Sequence, residues 1–362
     1  MRLRRRVVPF GVAVVSVLAL ASFMSRDAVL RAQGTFEVIA SGLDNPRGLA
    51  FGPEGALYVA EAGRGGEGPC QVLRGVLHCY GPSGAITRLW RGTQERIATG
   101  LPSYVNTTNG EAGGPVDVSF QGRGGAYVTV GLGADPAVRA AFGPAGHLFG
   151  TLIQVPASGR WRFVADIAAH EASENPAGGP VDSNPYGILA EPGARIVADA
   201  GANALLHVAA SGDISTLAVF PRVPAPPPAG STDPVPTEVV AGPDGAYYVS
   251  QLTGAPFSAG AAQIYRVVPG GPPEVFLSGF KTVIDLDFGP DGSLYVLQHA
   301  TGPFLSGPGK IIRVAPDGTR TDFAPSVLLT RPTSILVSED GAIYVSNFGT
   351  SIGTGEVLRI EP

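Results

Sequence analysis

Short runs of alternating apolar and polar residues recur along the chain, each broken by a turn signal. The clearest is "FGPDGSLYV" at 288–296, with near copies "FGPEGALYV" at 51–59, "AGPDGAYYV" at 241–249 and "VSEDGAIYV" at 337–345. An apolar residue ends one strand, Gly-Pro-Asp-Gly reverses the chain, and an apolar-Tyr-Val run opens the next. Proline presets φ and glycine admits positive φ, so these phrases predict hairpins. Weaker copies stand at 120–128 ("FQGRGGAYV") and 190–197 ("AEPGARIV"). The turn glycines Gly55, Gly124, Gly193, Gly245, Gly292 and Gly341 are separated by 69, 69, 52, 47 and 49 residues. That spacing suits six four-stranded propeller blades.

The innermost strands read "RGLAF" (47–51), "VDVSF" (116–120), "YGILA" (186–190), "TEVVA" (237–241), "IDLDF" (284–288) and "TSILV" (333–337). Outer strands "ERIATGL" (95–101) and "EVFLSGF" (274–280) end units one and four, and a third copy, "EVIASGL" (37–43), precedes unit one. The chain ends at "EVLRIEP", straight after the third strand of unit six. The missing outer strand is therefore expected at the N-terminal end, around Glu37–Ser41, pairing with 356–360 and leaving no open edge. The fold class is all-β: one six-bladed propeller over 34–362. The proline-rich stretch 220–237 reads as a loop between blades three and four, because the repeat resumes in register after it. Two insertions sit around unit two: 134–150, with room for a helical turn or two, and 165–187, leading into blade three.

Residues 1–32 stand outside the repeat. "MRLRRR" followed by an apolar run from Val7 to Phe23 reads as a secretory signal peptide, with an uncleaved anchor as the competing reading. Of the chain's 25 basic and 30 acidic residues, that segment holds six Arg and one Asp, so the remainder has 19 and 29, a net of −10. An acidic exported body argues against nucleic acid and anionic membrane surfaces as partners. No later segment is apolar for long enough to span a bilayer. Cys70 and Cys79 form a close pair with Gly75 between them. In an exported chain such a pair reads as a disulfide stapling a hairpin, since a zinc site built from two Cys and His78 would lack a fourth ligand.

The segments "NPRGLAFGPEGALYVAEAGRGGEGPC", "GGPVDVSF", "DSNPYGILA" and "FGTSIGTGEVLRI" resemble the ScyD/ScyE family of exported propellers, associated with biosynthesis of the pigment scytonemin. The resemblance covers nearly everything after residue 32 and implies the fold more firmly than a reaction. More distantly the blades are similar to gluconolactonase- and paraoxonase-like propellers, which hold a catalytic calcium through acids and amides at inner-strand starts. By position, Asp117, Glu238, Asp285 and Asn184 match that set. The Asn-Gly and Asp-Gly pairs that those enzymes carry at the inner-strand starts are missing at that place here.

The residues point the same way by themselves. The second position of the inner strands reads Gly48, Asp117, Gly187, Glu238, Asp285 and Ser334, so three carboxylates share one register facing the channel. Like charges that close raise one another's pKa, and a hard cation, Ca2+ or Mg2+, would relieve the repulsion. The alternative is that these acids bind water and backbone N–H groups. The acids within the repeated turns (Glu54, Asp244, Asp291, Asp340) read as turn formers. Glu61, Asp199, Gln298 and Asn347 end second strands, and with Asn203 and His299 they are expected near one mouth of the channel. His299 is the candidate general base, set against the plainer role of a surface histidine.

Three functional classes remain open. One is a binding or assisting module for a small molecule, glycan or protein at the channel mouth. Another is a Ca- or Mg-dependent enzyme. The third is a protein-interaction module without a small-molecule site.

Overall fold

The computed structural model describes residues 35–156, 159–324 and 327–361. The chain forms six antiparallel sheets of four or more strands, arranged as propeller blades. Blade 1 runs Pro46–Phe51, Leu57–Glu61, Val76–Trp90 and Thr93–Asn106 from the inside outward. Blades 2 to 5 begin with the inner strands Pro115–Ser119, Pro185–Glu191, Pro236–Ala241 and Val283–Phe288, and the next three strands of each follow in chain order. Blade 6 supplies Ser334–Val337, Ile343–Asn347 and Gly355–Ile360. Its outer strand is Phe36–Leu43, with Glu37 opposite Arg359 and Val38 opposite Leu358. The ring is thus closed by the N-terminal strand, as its extra outer-strand pattern requires.

The hydrophobic alternation pays its due between blades. Six apolar clusters lie at the six blade interfaces: Val118 and Val128 meet Ile86 between blades 1 and 2, and Leu43 and Val357 meet Leu49 and Val59 at the closing interface. The hairpin glycines act as expected in five units, with positive φ at Gly55, Gly193, Gly245, Gly292 and Gly341. In blade 2 the positive φ falls on Gly122 instead, two residues earlier than the aligned Gly124.

Two departures from the simple blade build the site. In blade 1 the third and fourth strands run on past the blade to 15 and 14 residues, and Gly68–Leu73 folds back on the third. Cys70 and Cys79 stand opposite each other on this hairpin and are joined by a disulfide. Such a bond points to a non-cytoplasmic compartment. The second departure is in the insertions near blade 2. Pro136–Phe142 and Gly146–Leu148 are 3-10 turns, in line with the sequence, whereas Ile167–Glu174 is an α-helix absent from the sequence reading. The Asp166 side chain caps its first turn by accepting from Ala169 N, and Asn175 ends it in a left-handed conformation. The cue was an Asp ahead of an Ala-rich run; its apolar stripe is too short to show a helical period. The proline-rich loop carries a two-residue strand pair, Val223–Pro224 with Ser231–Thr232.

The expected signal segment, residues 1–32, lies outside the described residues. Among the described residues, no helix is long and apolar enough to cross a membrane.

Candidate functional site: the channel and its mouth

The inner strands expose backbone N–H groups to the preceding blade without forming a ladder to it. Side chains take the place of that ladder. Asp117 Oδ1 accepts from Val118 N, and its Oδ2 accepts from Ile188 N of blade 3 at 2.8 Å. Asp285 repeats the pattern with Leu286 N and, across to blade 6, Ile335 N at 2.8 Å. Two residues along, Ser119 and Asp287 do the same for Ala190 N and Val337 N. Ser334 Oγ accepts from Leu49 N, joining blade 6 to blade 1. Asp117 and Asp285 therefore have a structural role, binding blade to blade, whereas Glu238 in the same register accepts from Val239 N of its own strand.

The belt also needs its glycines. A Cβ on Gly48 would stand 1.9 Å from Asp117 Oδ1, and one on Gly187 would stand 2.8 Å from Glu238 Oε1. Inner-strand positions without side chains make room for carboxylates from the neighbouring blade. Burial pushes Asp117 and Asp287 up to about 7, and raises Glu238 and Asp285 well above the usual range, with mutual repulsion adding to burial. Asp117 and Glu238 repel each other when both are ionised, which favours a proton on one of them.

The fit of a cation to these residues is constrained by the same bonds. Both oxygens of Asp117 and of Asp285 already accept backbone N–H groups, and Glu238 Oε1 accepts from Val239 N. Asn184 Oδ1 accepts from Leu132 N. Among the described residues, no group of three or more His, Cys, Asp or Glu side chains is arranged to hold a metal ion. A cation here would share oxygens with the blade-to-blade bonds.

The residues at the ends of the second strands also serve the backbone. Glu61, Asp199, Gln298 and Asn347 each accept from the N–H of a residue just ahead of their blade's inner strand: Asp44, Asn184, Lys281 and Thr330. All four are buried. Glu61 also accepts from Thr87 Oγ1 and twice from Arg96, and Asp199 from Ser183 Oγ and the N–H groups of Gly201 and Ala202. Burial lifts Asp199 to about 6. Asn203 spans the loop, donating to Gly201 O and accepting from Val235 N. These groups hold the rim in shape, while the cavity surface comes from their neighbours.

That cavity, of about 830 Å³, opens at the mouth where the second strands end. Its floor is the layer just above the acid belt: Arg47, Val116, Tyr186 and Ile284, one residue before the belt in blades 1, 2, 3 and 5. Asn184 and His299 lie in its wall. The outer wall is built by the blade 1 hairpin, with Leu73, Arg74, Val76 and His78, and by Tyr104. Tyr104 stacks on Phe142 of the insertion at 5.4 Å, meets the His78 ring edge-on, and donates to Leu132 O. The hairpin tip is tied across the mouth by Arg74 and Asp182, 2.6 Å apart. None of these hairpin residues is visible in the sequence as part of a cavity wall, His78 reading there only as a candidate zinc ligand, because their place depends on how far the hairpin leans over the mouth.

His299 is buried at 6% exposure, not on the surface as a lone loop histidine would be. Its Nδ1 bonds Pro332 O at 2.9 Å, and since a carbonyl only accepts, Nδ1 carries the proton. Nε2 is then a lone-pair acceptor. Burial lowers the imidazole to about 4, with the charges of Arg331 and Arg47 adding to it. A neutral imidazole of that kind suits hydrogen-bond acceptance better than proton abstraction near pH 7.

Known structures share this architecture. A streptogramin B lyase matches with a TM-score of 0.51 at 12% identity, covering 91% of this chain and 99% of that one. A putative gluconolactonase gives 0.54 at 13%, covering 91% and 92%, and a glucose dehydrogenase gives 0.53 at 14%, covering 91% and 99%. The shared feature is the six-bladed propeller. At such identities the likeness carries the fold and no reaction. No protein-family model matches the sequence, and no curated protein does.

Proposed function

We propose that this protein is an exported propeller of the ScyD/ScyE kind that binds a small molecule at the mouth of its channel. The supporting observation is the cavity: about 830 Å³, walled by a stapled hairpin, with aromatic, apolar and polar groups converging on it. Its size is that of ligand pockets, roughly 300–1,000 Å³. A mixture of neutral and charged aromatic fragments, followed by ligand-observed NMR, tests the reading. Several fragments should bind the mature protein and lose binding in Leu252→Trp, which places bulk in the cavity wall. If no fragment binds, the mouth is a surface for a protein or glycan, or has no ligand.

A Ca- or Mg-dependent enzyme is the second reading. It draws on the mutual repulsion among Asp117, Glu238 and Asp285, which a divalent cation would relieve. Cation binding stabilises the fold by mass action, so added calcium should raise Tm, a chelator should lower it, and Glu238→Gln should blunt the response. A Tm indifferent to both, with no metal by elemental analysis, removes this reading.

A further inference from the structure

The charges around the cavity are unequal in how well they are partnered. Asp182 is paired with Arg74, and Asp233 with Arg222. Arg47, on the floor, has a side chain only 9% exposed, yet among the described residues it donates to a single oxygen, Ala112 O at 2.9 Å. Its nearest carboxylate, on Glu111, is 3.8 Å away and half exposed. Its Nε and Nη1 have no hydrogen-bond partner among the described residues, and the residue lines the cavity. A buried guanidinium with donors to spare is costly unless an anion meets it, and its planar fork matches a carboxylate. The same cavity holds an acceptor, His299 Nε2, which no described residue bonds and whose ring feels the charge of Arg47, and an apolar floor of Val116, Tyr186 and Ile284.

We propose that the cavity takes a hydroxycarboxylic acid with an apolar body: its carboxylate lies on Arg47, its hydroxyl donates to His299 Nε2, and its body rests on Val116, Tyr186 and Ile284. This rests on the mouth being a small-molecule site. It names the class of molecule held there.

Three probes separate the parts, titrated at pH 7 into the mature protein by calorimetry or NMR. Mandelate carries all three features, mandelamide has a neutral head, and phenylacetate lacks the hydroxyl. Mandelate should bind at least about tenfold tighter than mandelamide, because charge-assisted bonds to Arg are the stronger kind. It should bind about fivefold tighter than phenylacetate, the worth of one ordinary hydrogen bond. Arg47→Met should bring mandelate to the level of mandelamide and leave mandelamide unchanged, and His299→Phe should close the gap between mandelate and phenylacetate. If Arg47→Met does not fold, the comparison of heads on the unaltered protein decides. Mandelamide binding as tightly as mandelate overturns the proposal. So does binding of neutral fragments at the mouth with no carboxylate bound, an outcome that leaves the small-molecule reading standing. Failure of every fragment, neutral and charged, sinks both.

Discussion

Glu61 shows at the scale of one residue how this chain uses buried polar groups. It sits at zero exposure and accepts from Asp44 N, Thr87 Oγ1 and both Nε and Nη2 of Arg96. Removing the carboxylate leaves Asp44 N, Thr87 Oγ1 and Arg96 Nε without a partner and Arg96 Nη2 with Asp44 Oδ2 alone, so Glu61→Ala should cost about 3 kcal/mol. Urea denaturation checks this: the midpoint should fall with an unchanged slope. Gly48 makes the converse case. Because its missing Cβ is the space Asp117 occupies, Gly48→Ala should cost about 1–3 kcal/mol through overpacking, although alanine gives up less backbone entropy in a strand than glycine does. If Gly48→Ala melts like the unaltered protein, the carboxylate has room to move and the belt is looser than its contacts imply.

At the scale of elements, the N-terminal strand and the stapled hairpin make different contributions. Phe36–Leu43 both completes blade 6 and fills the last blade interface with Leu43. Deleting 34–43 bares an edge and an apolar seam, so the truncated chain should melt far below the mature protein and aggregate. Equal melting curves would show that the ring does not depend on this strand. The Cys70–Cys79 bond closes a short loop, nine residues apart in sequence, for which chain entropy allows at most about 3 kcal/mol. Thiol counting under denaturing, non-reducing conditions should find no free thiol, and Cys79→Ser should lower Tm modestly. Loss of fragment binding in that variant would tie the staple to the cavity wall.

The whole molecule carries its buried acids as a pH response. Asp117 and Asp287 rise to about 7 and Asp199 to about 6 in the folded state, against ordinary values near 4 in the unfolded chain. The folded protein therefore keeps protons that the unfolded chain has released. By linkage, stability is greatest below pH 4 as far as these groups decide it, and is lost as pH rises through about 6 to 7. Tm should be lower at pH 8 than at pH 5, and Asp287→Asn should flatten the dependence. A Tm that climbs over that interval would mean these carboxylates are ionised and matched by something positive.

The blade count, the hairpins, the closing strand and the cysteine pair were all legible in the sequence. Each depends on local alternation, turn chemistry or a repeat, and these act between residues close in the chain or at a fixed period. The register of Asp117, Glu238 and Asp285 was legible too, but what their oxygens bond was not. Their partners, such as Ile188 N for Asp117 and Ile335 N for Asp285, lie 71 and 50 residues away and belong to the next blade. The same holds at the mouth. Glu61, Asp199, Gln298 and Asn347 are polar residues ending strands, which alone does not tell whether they face a ligand or a backbone N–H. Tertiary structure turned them inward and assigned the cavity surface to Arg47, His299 and a hairpin tip held by Arg74 and Asp182. Local pattern set which segments are strands; the closed ring, by fixing which side chain meets the next blade, decided which polar groups remain free for a ligand.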